Sequence, residues 1–431
     1  MRPTIDVLVL DGAAHSSLAV VRNLGQHGLG VAVGADVRLA CAAASTYCAE
    51  FLLHPPLARD SRAALDCLVD YLKKRSGVVI MPNSDRWHHA CYAGRDAIES
   101  TGAILAVPPE ASFRAACDKA ETLARAQKLG VPSPDTHIVN SIAELDDLAR
   151  RIHYPVVVKA RQSVVRKNHR LVKTGRVRYA RSPAELVRAY RDCHAGQSAT
   201  LIQRFIPGRG MGVFLLCDRG RPVMRFAHRR IRDVVPTGSA SALRQSVAYP
   251  TDAGRHAERL AADLEFTGPM MVEFRVDAES GCAVLMEING GRFWGSLQLA
   301  IDAGQEFPHA WYRMARGETV NWPDEYAVGV CSRWLVGDIQ SLVRALRGRP
   351  PGYMGEFPTR FAAVRDFLAP WPRPTRLEVL RRGDIKPFCI ECAHYAARLV
   401  NQCRINNTSA AAESHNDEGG SRQSNEGTME R

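Results

Sequence analysis

The chain has 431 residues, of which 46% are hydrophobic and 24% charged, a composition typical of a globular protein with roughly two or three domains. Its formal net charge of +12 is spread over many short basic groups without a zinc-finger or RNA-binding signature, so we expect an anionic small molecule rather than nucleic acid as the partner. No apolar run approaches the roughly 20 residues of a membrane span, and the charged first strand is unlike a signal peptide. Twelve cysteines, most of them isolated in apolar surroundings, are typical of a reducing compartment, so we expect a cytoplasmic protein.

The first part of the chain, 1–112, alternates between strand patterns and amphipathic helix patterns, which indicates a parallel, doubly wound sheet. The strands are predicted in "IDVLVL", "GLGVAVGAD" and "GVVIMPNSD", and the helices in "LAVVRNL" and "ALDCLVDYLKKR". The turn after the first strand carries Gly12, Ser16 and Ser17, but it lacks the spacing of a dinucleotide-binding loop. We therefore interpret this turn as scaffold.

A second unit, 113–200, begins with a helix whose two ends are clearly marked. Asp118 is suited to the N-cap and Gly130 to the position just after the helix. Lys119 then lies in the first turn, where the helix dipole disfavours a cation, and a local rule broken in this way is typical of a functional site. A buried strand ending in Lys159 follows, and after it a basic, irregular stretch, 161–178.

The most informative segment is 271–296, in which two apolar strands are joined by turn residues. If the strands pair about a five-residue loop, 278–282, then Glu273 faces Glu287. Like charges directly opposed in a sheet are destabilising, and a cation between them would remove that penalty. Asn289, on the same face, would add a third oxygen to a ligand set that suits Mg²⁺. The alternative is a solvated sheet face with both glutamates in water.

The end of the chain is less informative. Residues 321–405 form an Arg- and Pro-rich appendage, and the polar segment 406–431 has the composition of a disordered tail. The cysteines of "CIECAH" could be imagined as part of a zinc site. Their surroundings favour the apolar stripe of a terminal helix instead.

Four features follow one another in a definite order along the chain. A lysine at a helix start is followed about forty residues later by a lysine at a strand end, then by Gln203 before "FIPG", and finally by the hairpin that ends in "EIN" before an arginine. This order resembles the ATP-grasp superfamily of ligases over roughly 1–320. It is more closely similar to bacterial ATP-grasp proteins that carry a "FAHRR" strand and an "EIN…RFWGS" motif.

The resemblance implies an α/β fold, in which a Rossmann-like pre-ATP-grasp domain over 1–112 precedes a two-subdomain ATP-grasp fold with α+β lobes. The N-terminal subdomain would span 113–200, and the C-terminal subdomain, with the metal site, 201–320. The appendage and the tail would follow these domains.

The resemblance also implies roles for individual residues. ATP would be contacted by the two lysines and by the backbone of a hinge, comprising Lys119, Lys159, Gln203, Arg204, Phe205 and Ile206. Glu273, Glu287 and Asn289 would hold Mg²⁺, with Mn²⁺ as an alternative. Arg292 would orient the substrate carboxylate and stabilise charge on the transferring phosphoryl group, sharing the catalytic role with Lys159.

The sequence departs from the family pattern in three places. The phosphate lid of the family is glycine-rich, whereas the basic stretch has Gly175 alone, so lid contacts cannot be assigned. No acidic residue follows the hinge to bind the ribose hydroxyls. "EINGGR" has one residue more between Asn289 and Arg292 than the common "EINxR" form, which makes the position of the arginine less certain than that of the glutamates.

The strand "FAHRRIRD" and the loop after it are the best candidates for the acceptor side of the site. We expect Arg230, Arg232 and Arg244 to bind an anionic group of the substrate. The period of a strand places His228, Arg230 and Arg232 on one face and Arg229 on the other. The alternative is a basic face exposed to solvent.

Together these features predict a Mg²⁺–ATP-dependent ligase that joins a small-molecule carboxylate to an amine through an acyl phosphate, releasing ADP and phosphate. One alternative keeps the fold but carboxylates its substrate by way of carboxyphosphate. The other is an ATP-binding regulatory protein that has lost turnover. No membrane contact is expected, and the oligomeric state, a homodimer included, is left open.

Overall fold

The computed structural model describes residues 4–175, 177–194, 199–235, 240–349, 353, 356–369 and 375–400. The tail 406–431, expected to be disordered, lies outside the described residues. So do 401–405 of the appendage, 176 of the basic stretch, and 236–239 of the loop after the "FAHRRIRD" strand. Within the described part of the chain, no helix is long and apolar enough to cross a membrane.

The N-terminal unit is a five-stranded parallel sheet in the order β3-β2-β1-β4-β5. Its strands are β1 Val7–Val9, β2 Val31–Ala35, β3 Cys48–Leu53, β4 Val79–Met81 and β5 Ile104–Leu105. Its helices are α1 His15–Gln26, α2 Ser61–Leu72, α3 Asp85–Ala93 and α4 Arg95–Glu99. Val7 and Val9 pack in the core cluster of α1, while Leu8 packs with α2 and α3 on the other face. Both faces are therefore buried, which confirms the doubly wound sheet, although β3 and β5 were not recognised in the sequence.

Four helices and a small antiparallel sheet form the next unit. The helices are α5 Glu110–Cys117, α6 Lys119–Lys128, α7 Ile142–Arg151 and α8 Pro183–His194. The sheet has the order β10-β7-β11-β6, formed by β6 Thr136–Val139, β7 Val156–Ala160, β10 Arg178–Ala180 and β11 Thr200–Arg204. Asp118 caps α6 by accepting hydrogen bonds from the backbone N–H groups of Ala120 and Glu121, as the sequence predicts.

The basic stretch forms a separate hairpin, β8 Val164–Lys167 and β9 Arg170–Lys173. The hairpin docks on the N-terminal unit, because the Ser61 N–H donates to the His169 carbonyl (2.7 Å) and the Leu171 N–H to the Leu57 carbonyl (3.0 Å). Val164 and Leu171 are buried in the core cluster of that unit. This basic segment therefore forms a hairpin with a fixed position, although it lacks the glycines of a typical phosphate lid.

The largest sheet has seven strands in the order β16-β15-β12-β13-β14-β17-β18. They are β12 Gly208–Asp218, β13 Arg221–Asp233, β14 Ser241–Ser246, β15 Gly268–Asp277, β16 Ala283–Gly290, β17 Cys331–Arg333 and β18 Thr375–Leu377. The helices of this part are α9 Thr251–Asp263, α10 Leu297–Asp302, α11 Phe307–Ala315, α12 Leu335–Arg347 and α13 Arg360–Leu368, and 386–400 is also helical. Phe214 packs towards α1 and α11, and Leu215 towards α9, so one face of this sheet lies against the N-terminal unit.

The hairpin of β15 and β16 confirms that Glu273 is paired with Glu287. The predicted loop is wrong by one residue, because Val276 pairs with Ala283 and the Asp277 N–H donates to the Cys282 carbonyl (2.9 Å). Gly281, with a φ of 70°, permits this tighter turn. A β-bulge beside Glu273 then restores the expected register towards the end of the hairpin.

The appendage closes back on the first helix. Arg22 of α1 is buried and donates from Nε to Asp384 (2.7 Å), and from Nη1 and Nη2 to the carbonyls of Glu378 (3.0 Å) and Val379 (2.8 Å). Asp384 also accepts from the Ser45 hydroxyl (2.8 Å). Residues more than 350 positions apart are thereby joined by a buried ion pair.

This buried ion pair predicts a large effect of Arg22→Ala on stability. Asp384, only 3% exposed, would lose its cation, and breaking such a pair from one side typically costs about 3–5 kcal/mol. Chemical denaturation followed by circular dichroism measures the free energy of unfolding. Lys73→Ala, which breaks the exposed pair with Asp70, is the matched control and should leave that free energy nearly unchanged. Equal stability of the two variants would contradict the prediction.

Candidate active site

A cavity of about 190 Å³ lies where α6, β7, the β8–β9 hairpin and β16 meet. It is lined by Lys119, Lys159, Ala160, Ser163, Lys173, Thr174, Gly175, Val177 and Glu287. Both lysines singled out in the sequence and one of the two glutamates therefore lie in one place. Three lysines and one carboxylate give the wall an excess of positive charge, which suits a polyanionic ligand.

Lys119 projects from the first turn of α6 towards the hairpin of β15 and β16. Its Nζ lies 3.7 Å from Glu287 Oε2 and donates to the Ser163 hydroxyl at 3.1 Å. Burial lowers the pKa of Lys159, an effect that the charge of Glu287 opposes. Burial also disfavours the charge of Glu287, but attraction by Lys119 and Lys159 outweighs it, so the pKa of this carboxyl is lowered. The cavity keeps its carboxylate ionised between two cations.

Each member of the glutamate pair is matched by a different cation. Glu273 accepts a hydrogen bond from Arg230 Nη2 at 2.7 Å, and both side chains are 20% exposed. Glu287 faces Lys119 instead. The like-charge penalty expected from the sequence is thus reduced by the protein's own cations.

The residues expected to hold a metal ion form an oxygen-rich set. Asn289 lies beside Glu287, with its amide Nδ2 3.4 Å from Glu287 Oε1. Two carboxylates paired across a hairpin and an adjacent amide oxygen are the chemistry that Mg²⁺ prefers. The donor set therefore fits the metal, although Asn289 Oδ1 accepts a hydrogen bond from Arg292 (2.5 Å) in this structure.

Arg292 reaches the site despite the additional residue in "EINGGR". Gly291 adopts a φ of 79°, and its N–H donates to the Pro269 carbonyl at 2.8 Å. A Cβ at this glycine would meet His88 Nε2 at 2.8 Å, so the turn needs glycine. Arg292 then donates from Nη2 to Asn289 and from Nε to Asp85 Oδ1 at 2.6 Å.

The carboxylate that pairs with Arg292 comes from the N-terminal unit. Asp85 raises the pKa of Arg292. Burial opposes the charge of Asp85, but Arg292 outweighs burial, so the pKa of the Asp85 carboxyl is lowered. The same unit supplies Asn83, whose Oδ1 accepts from the Phe293 N–H at 2.9 Å. Asp85 therefore fixes the side chain of Arg292, and Asn83 fixes the backbone of the next residue, Phe293.

Sequence reasoning missed several residues of the site. Asn83 and Asp85 come shortly after β4, beyond Pro82, and the carboxyl ends of parallel strands are a common place for ligand sites. That position was the available signal for Asp85. No comparable signal marked Ser163, Lys173 and Thr174, which reach the cavity only because of how the β8–β9 hairpin docks.

The segment Gln203–Ile206, predicted to be the hinge, lies outside the residues that line the cavity. Gln203 is buried and donates from Nε2 to the Thr136 hydroxyl at 3.0 Å. The Arg204 N–H donates to the Asp135 carbonyl (2.9 Å), and the Phe205 N–H to the Pro155 carbonyl (3.2 Å). Among the described residues, no backbone carbonyl accepts from the Ile206 N–H.

The three arginines expected on the acceptor side have separate partners. Arg230 reaches Glu273, whereas Arg232 forms two hydrogen bonds with Asp338, from Nε (2.5 Å) and from Nη2 (2.9 Å). Arg244 is 3% exposed and pairs with Glu378. The alternative of a basic solvated face therefore does not describe these three side chains. Arg230 contacts the glutamate pair through Glu273, and a shared task for all three arginines stays a prediction.

Comparisons with known proteins agree with this geometry at the level of the fold. No protein-family model matches the sequence, and a search of curated proteins found no significant match. Solved structures do match.

The biotin carboxylase domain of Hydrogenobacter thermophilus 2-oxoglutarate carboxylase, solved with MgADP, ADP and bicarbonate, has a TM-score of 0.59 at 16% identity, over 76% of this chain and 74% of that chain. Campylobacter jejuni biotin carboxylase, in its β-γ-ATP complex, has a TM-score of 0.59 at 15% identity, over 76% and 74% of the two chains. Staphylococcus aureus N5-carboxyaminoimidazole synthetase has a TM-score of 0.56 at 13% identity, over 76% and 81%. At these identities the likeness concerns the fold alone. The expectation from the order of the lysines, the hinge and the carboxylate hairpin is confirmed: the chain has the ATP-grasp fold.

Proposed function

We propose that the protein is a Mg²⁺–ATP-dependent ligase that joins a small-molecule carboxylate to an amine and releases ADP and phosphate. The observation that carries this proposal is the cavity lined by three lysines and by Glu287, with Glu273 paired opposite on the same hairpin. Such a cavity has the charge to hold a triphosphate and, at its edge, the oxygen ligands for a divalent cation.

Binding of ATP is assigned to residues of the two lobes on either side of the cavity. Lys119 and Lys159 would hold the phosphates as point charges on flexible stems. The segment Gln203–Ile206 would hold the adenine, with the Ile206 N–H as its donor because the N–H groups of Arg204 and Phe205 are already bonded. Lys173, at the end of β9, and Thr174, which follows it, would contact the phosphates from the hairpin side of the cavity.

Glu273, Glu287 and Asn289 would hold Mg²⁺, for which Mn²⁺ could substitute. When bound, the metal would neutralise phosphate charge as the phosphoryl group transfers. Arg230 and Lys119 now compensate the two carboxylates, so metal binding would redistribute these contacts.

The reaction would proceed in two displacements. A carboxylate oxygen of the substrate attacks the γ-phosphorus of ATP, the bond to the bridging oxygen breaks, and an acyl phosphate and ADP are formed. The amine then attacks the acyl carbon, phosphate leaves with the electron pair of the broken C–O bond, and the amine gives up a proton. Arg292, fixed between Asp85 and Asn289, would orient the carboxylate and stabilise the transferring phosphoryl group.

Of the three arginines, we assign Arg230 to an anionic group of the non-nucleotide substrate, because Arg230 contacts the glutamate pair. Arg232 and Arg244 pair with Asp338 and Glu378, and they could contribute to the same pocket through the positions of these partners. We therefore assign Arg232 and Arg244 an indirect role, in which they stabilise the acceptor side of the site.

A carboxylase is the second candidate, because two of the structures named above are biotin carboxylases and one of them was solved with bicarbonate. In that case bicarbonate would replace the substrate carboxylate and carboxyphosphate the acyl phosphate. Release of ADP, measured with panels of acids and amines and with bicarbonate alone or in combination, separates the two. Turnover that requires an acid and an amine supports the ligase, turnover that requires bicarbonate supports the carboxylase, and ATP binding without turnover contradicts both.

The assignment of Lys159 predicts weaker nucleotide binding in Lys159→Met. Loss of a charged hydrogen bond should reduce the binding free energy of ATP by roughly 1–3 kcal/mol, about 5- to 150-fold in the dissociation constant. Titration calorimetry with MgATP measures it. Lys128→Met removes an exposed lysine of α6 and should bind ATP like the unchanged protein. Unaltered affinity in Lys159→Met would remove this lysine from the site.

The metal assignment predicts that Glu287→Ala abolishes turnover while the protein remains folded. The Glu287 side chain lines the cavity and is 33% exposed, so its loss should affect the metal rather than the core. Activity is measured across a Mg²⁺ titration, and folding by thermal melting. Glu279→Ala, in the exposed turn of the same hairpin, should remain active. Full turnover in Glu287→Ala would refute the assignment.

The acceptor assignment predicts that Arg230→Ala raises KM for the non-nucleotide substrate and leaves ATP affinity nearly unchanged. The lost guanidinium is expected to contact an anionic group of that substrate. Steady-state kinetics with each substrate varied in turn give the two parameters. Arg229→Ala, on the opposite face of β13 and bonded to Gln245, is the control. Normal substrate kinetics in Arg230→Ala would exclude the role.

A further inference from the structure

A cluster of metal-ligating side chains lies outside the candidate active site, where α1 ends and α11 begins. It comprises His27, Glu306 and His309, whose ligand atoms all lie within 4.8 Å of one another. None of the three lines the cavity described above. His27 follows the last residue of α1, Glu306 precedes the first residue of α11, and His309 is in the first turn of α11.

The three side chains are in direct contact. His27 Nε2 lies 2.8 Å from Glu306 Oε2. The rings of His27 and His309 are stacked with centroids 3.7 Å apart and planes within 10° of parallel. The cluster therefore brings two imidazole rings and one carboxylate together, which are the groups that bind transition-metal ions in proteins. Neutral imidazole is the form that binds metal ions.

The His309 ring has unused bonding capacity. Its Nδ1 atom is buried, and none of the described residues forms a hydrogen bond with it. A buried nitrogen without a partner costs free energy, and a cation bound through this atom would remove that cost. An ordinary ion pair between His27 and Glu306 explains two members of the cluster but gives His309 no role beyond stacking.

The helix ends that carry the cluster are held in fixed positions. The Asn23 side chain of α1, which is 1% exposed, accepts a hydrogen bond from the His309 N–H at 3.0 Å. The His27 N–H is in turn bonded to the Asn23 and Leu24 carbonyls. Glu306 and His309 are three residues apart at a helix start, which places both on the same side of α11. Because the backbone is fixed at these helix ends, only the side chains would have to move to bind one ion.

We infer that His27, Glu306 and His309 form a binding site for a divalent transition-metal ion, with Zn²⁺ as the best match, that joins the end of α1 to the start of α11. Two imidazoles and one carboxylate are a known zinc donor set, and a fourth position stays open to solvent. Tetrahedral zinc requires ligand atoms roughly 3.3 Å apart. The ligand atoms of His27 and Glu306, which are both 30% exposed, lie 2.8 Å apart and would have to separate slightly. The stacked His27 and His309 rings would have to turn so that one nitrogen of each faces the same ion. Mg²⁺ does not fit, because it prefers oxygen ligands alone.

Titration calorimetry with ZnCl₂ tests the site on the full chain, freed of any affinity tag and treated with a chelator. The unchanged protein should bind Zn²⁺ at this site in the presence of excess Mg²⁺. His27→Asn, Glu306→Gln and His309→Gln should each weaken binding at least tenfold. His137→Asn is the control, because His137 lies 3.9 Å from the carboxylate of Asp135 and outside the cluster. Zinc titrations of the three variants that match the control would show that the cluster is only an ion pair.

Cobalt spectroscopy of the unchanged protein guards against variants that fail to fold and against zinc bound by cysteines. A Co²⁺ spectrum typical of nitrogen and oxygen ligation, abolished by added Zn²⁺, supports the site. A spectrum dominated by thiolate charge transfer, or no bound Co²⁺ at all, overturns it. Since the site lies outside the ATP cavity, loss of zinc binding in these variants should leave ATP affinity unchanged, which separates this test from those of the proposed function.

Discussion

The pairing of Glu273 with Glu287 is the constraint around which the cleft is organised. Two carboxylates opposed across a hairpin require positive charge, and the chain brings it from different elements. Arg230 comes from β13, two strands away from Glu273, and Lys119 from the start of α6. Lys159, from β7 of the other lobe, adds its charge to that of Lys119 at Glu287. A local feature of one hairpin thus draws together segments that the sequence separates by more than one hundred residues.

A second series of polar contacts connects this hairpin with the N-terminal unit. Asn289 is bonded to Arg292, and Arg292 to Asp85 at the start of α3, shortly after β4. Asn83 fixes the backbone at Phe293. The N-terminal unit is therefore more than a support for the cleft, because the carboxyl edge of its sheet determines where Arg292 points. In the sequence the additional glycine before Arg292 made its position doubtful, and the positive φ of Gly291 resolves the doubt.

The sequence predicts best what depends on neighbouring residues. The cap at Asp118, the parallel sheet and the Glu273–Glu287 pair follow from capping, alternation and turn chemistry. The last of these was right even though the loop was wrong by one residue, because the bulge beside Glu273 compensated for it. Contacts between distant segments carry no such local signal. The partners of Arg232 and Arg244 lie more than one hundred residues away, so the common face predicted for the arginines could not reveal that each has its own carboxylate.

The unequal contacts of the two glutamates suggest how the cleft would respond to a polyphosphate. Arg230 holds Glu273 at 2.7 Å, whereas Lys119 stands 3.7 Å from Glu287 and also bonds to Ser163. A triphosphate offers more negative charge than one carboxylate, so the loosely held Lys119 is the cation expected to change partner. Glu287 would then be released for a divalent cation, which Glu273 would share while its Oε1 atom keeps the contact with Arg230. Nucleotide and metal would then bind cooperatively. The triphosphate would draw Lys119 away from Glu287, and the metal ion would neutralise part of the negative charge that the triphosphate brings close to the carboxylates.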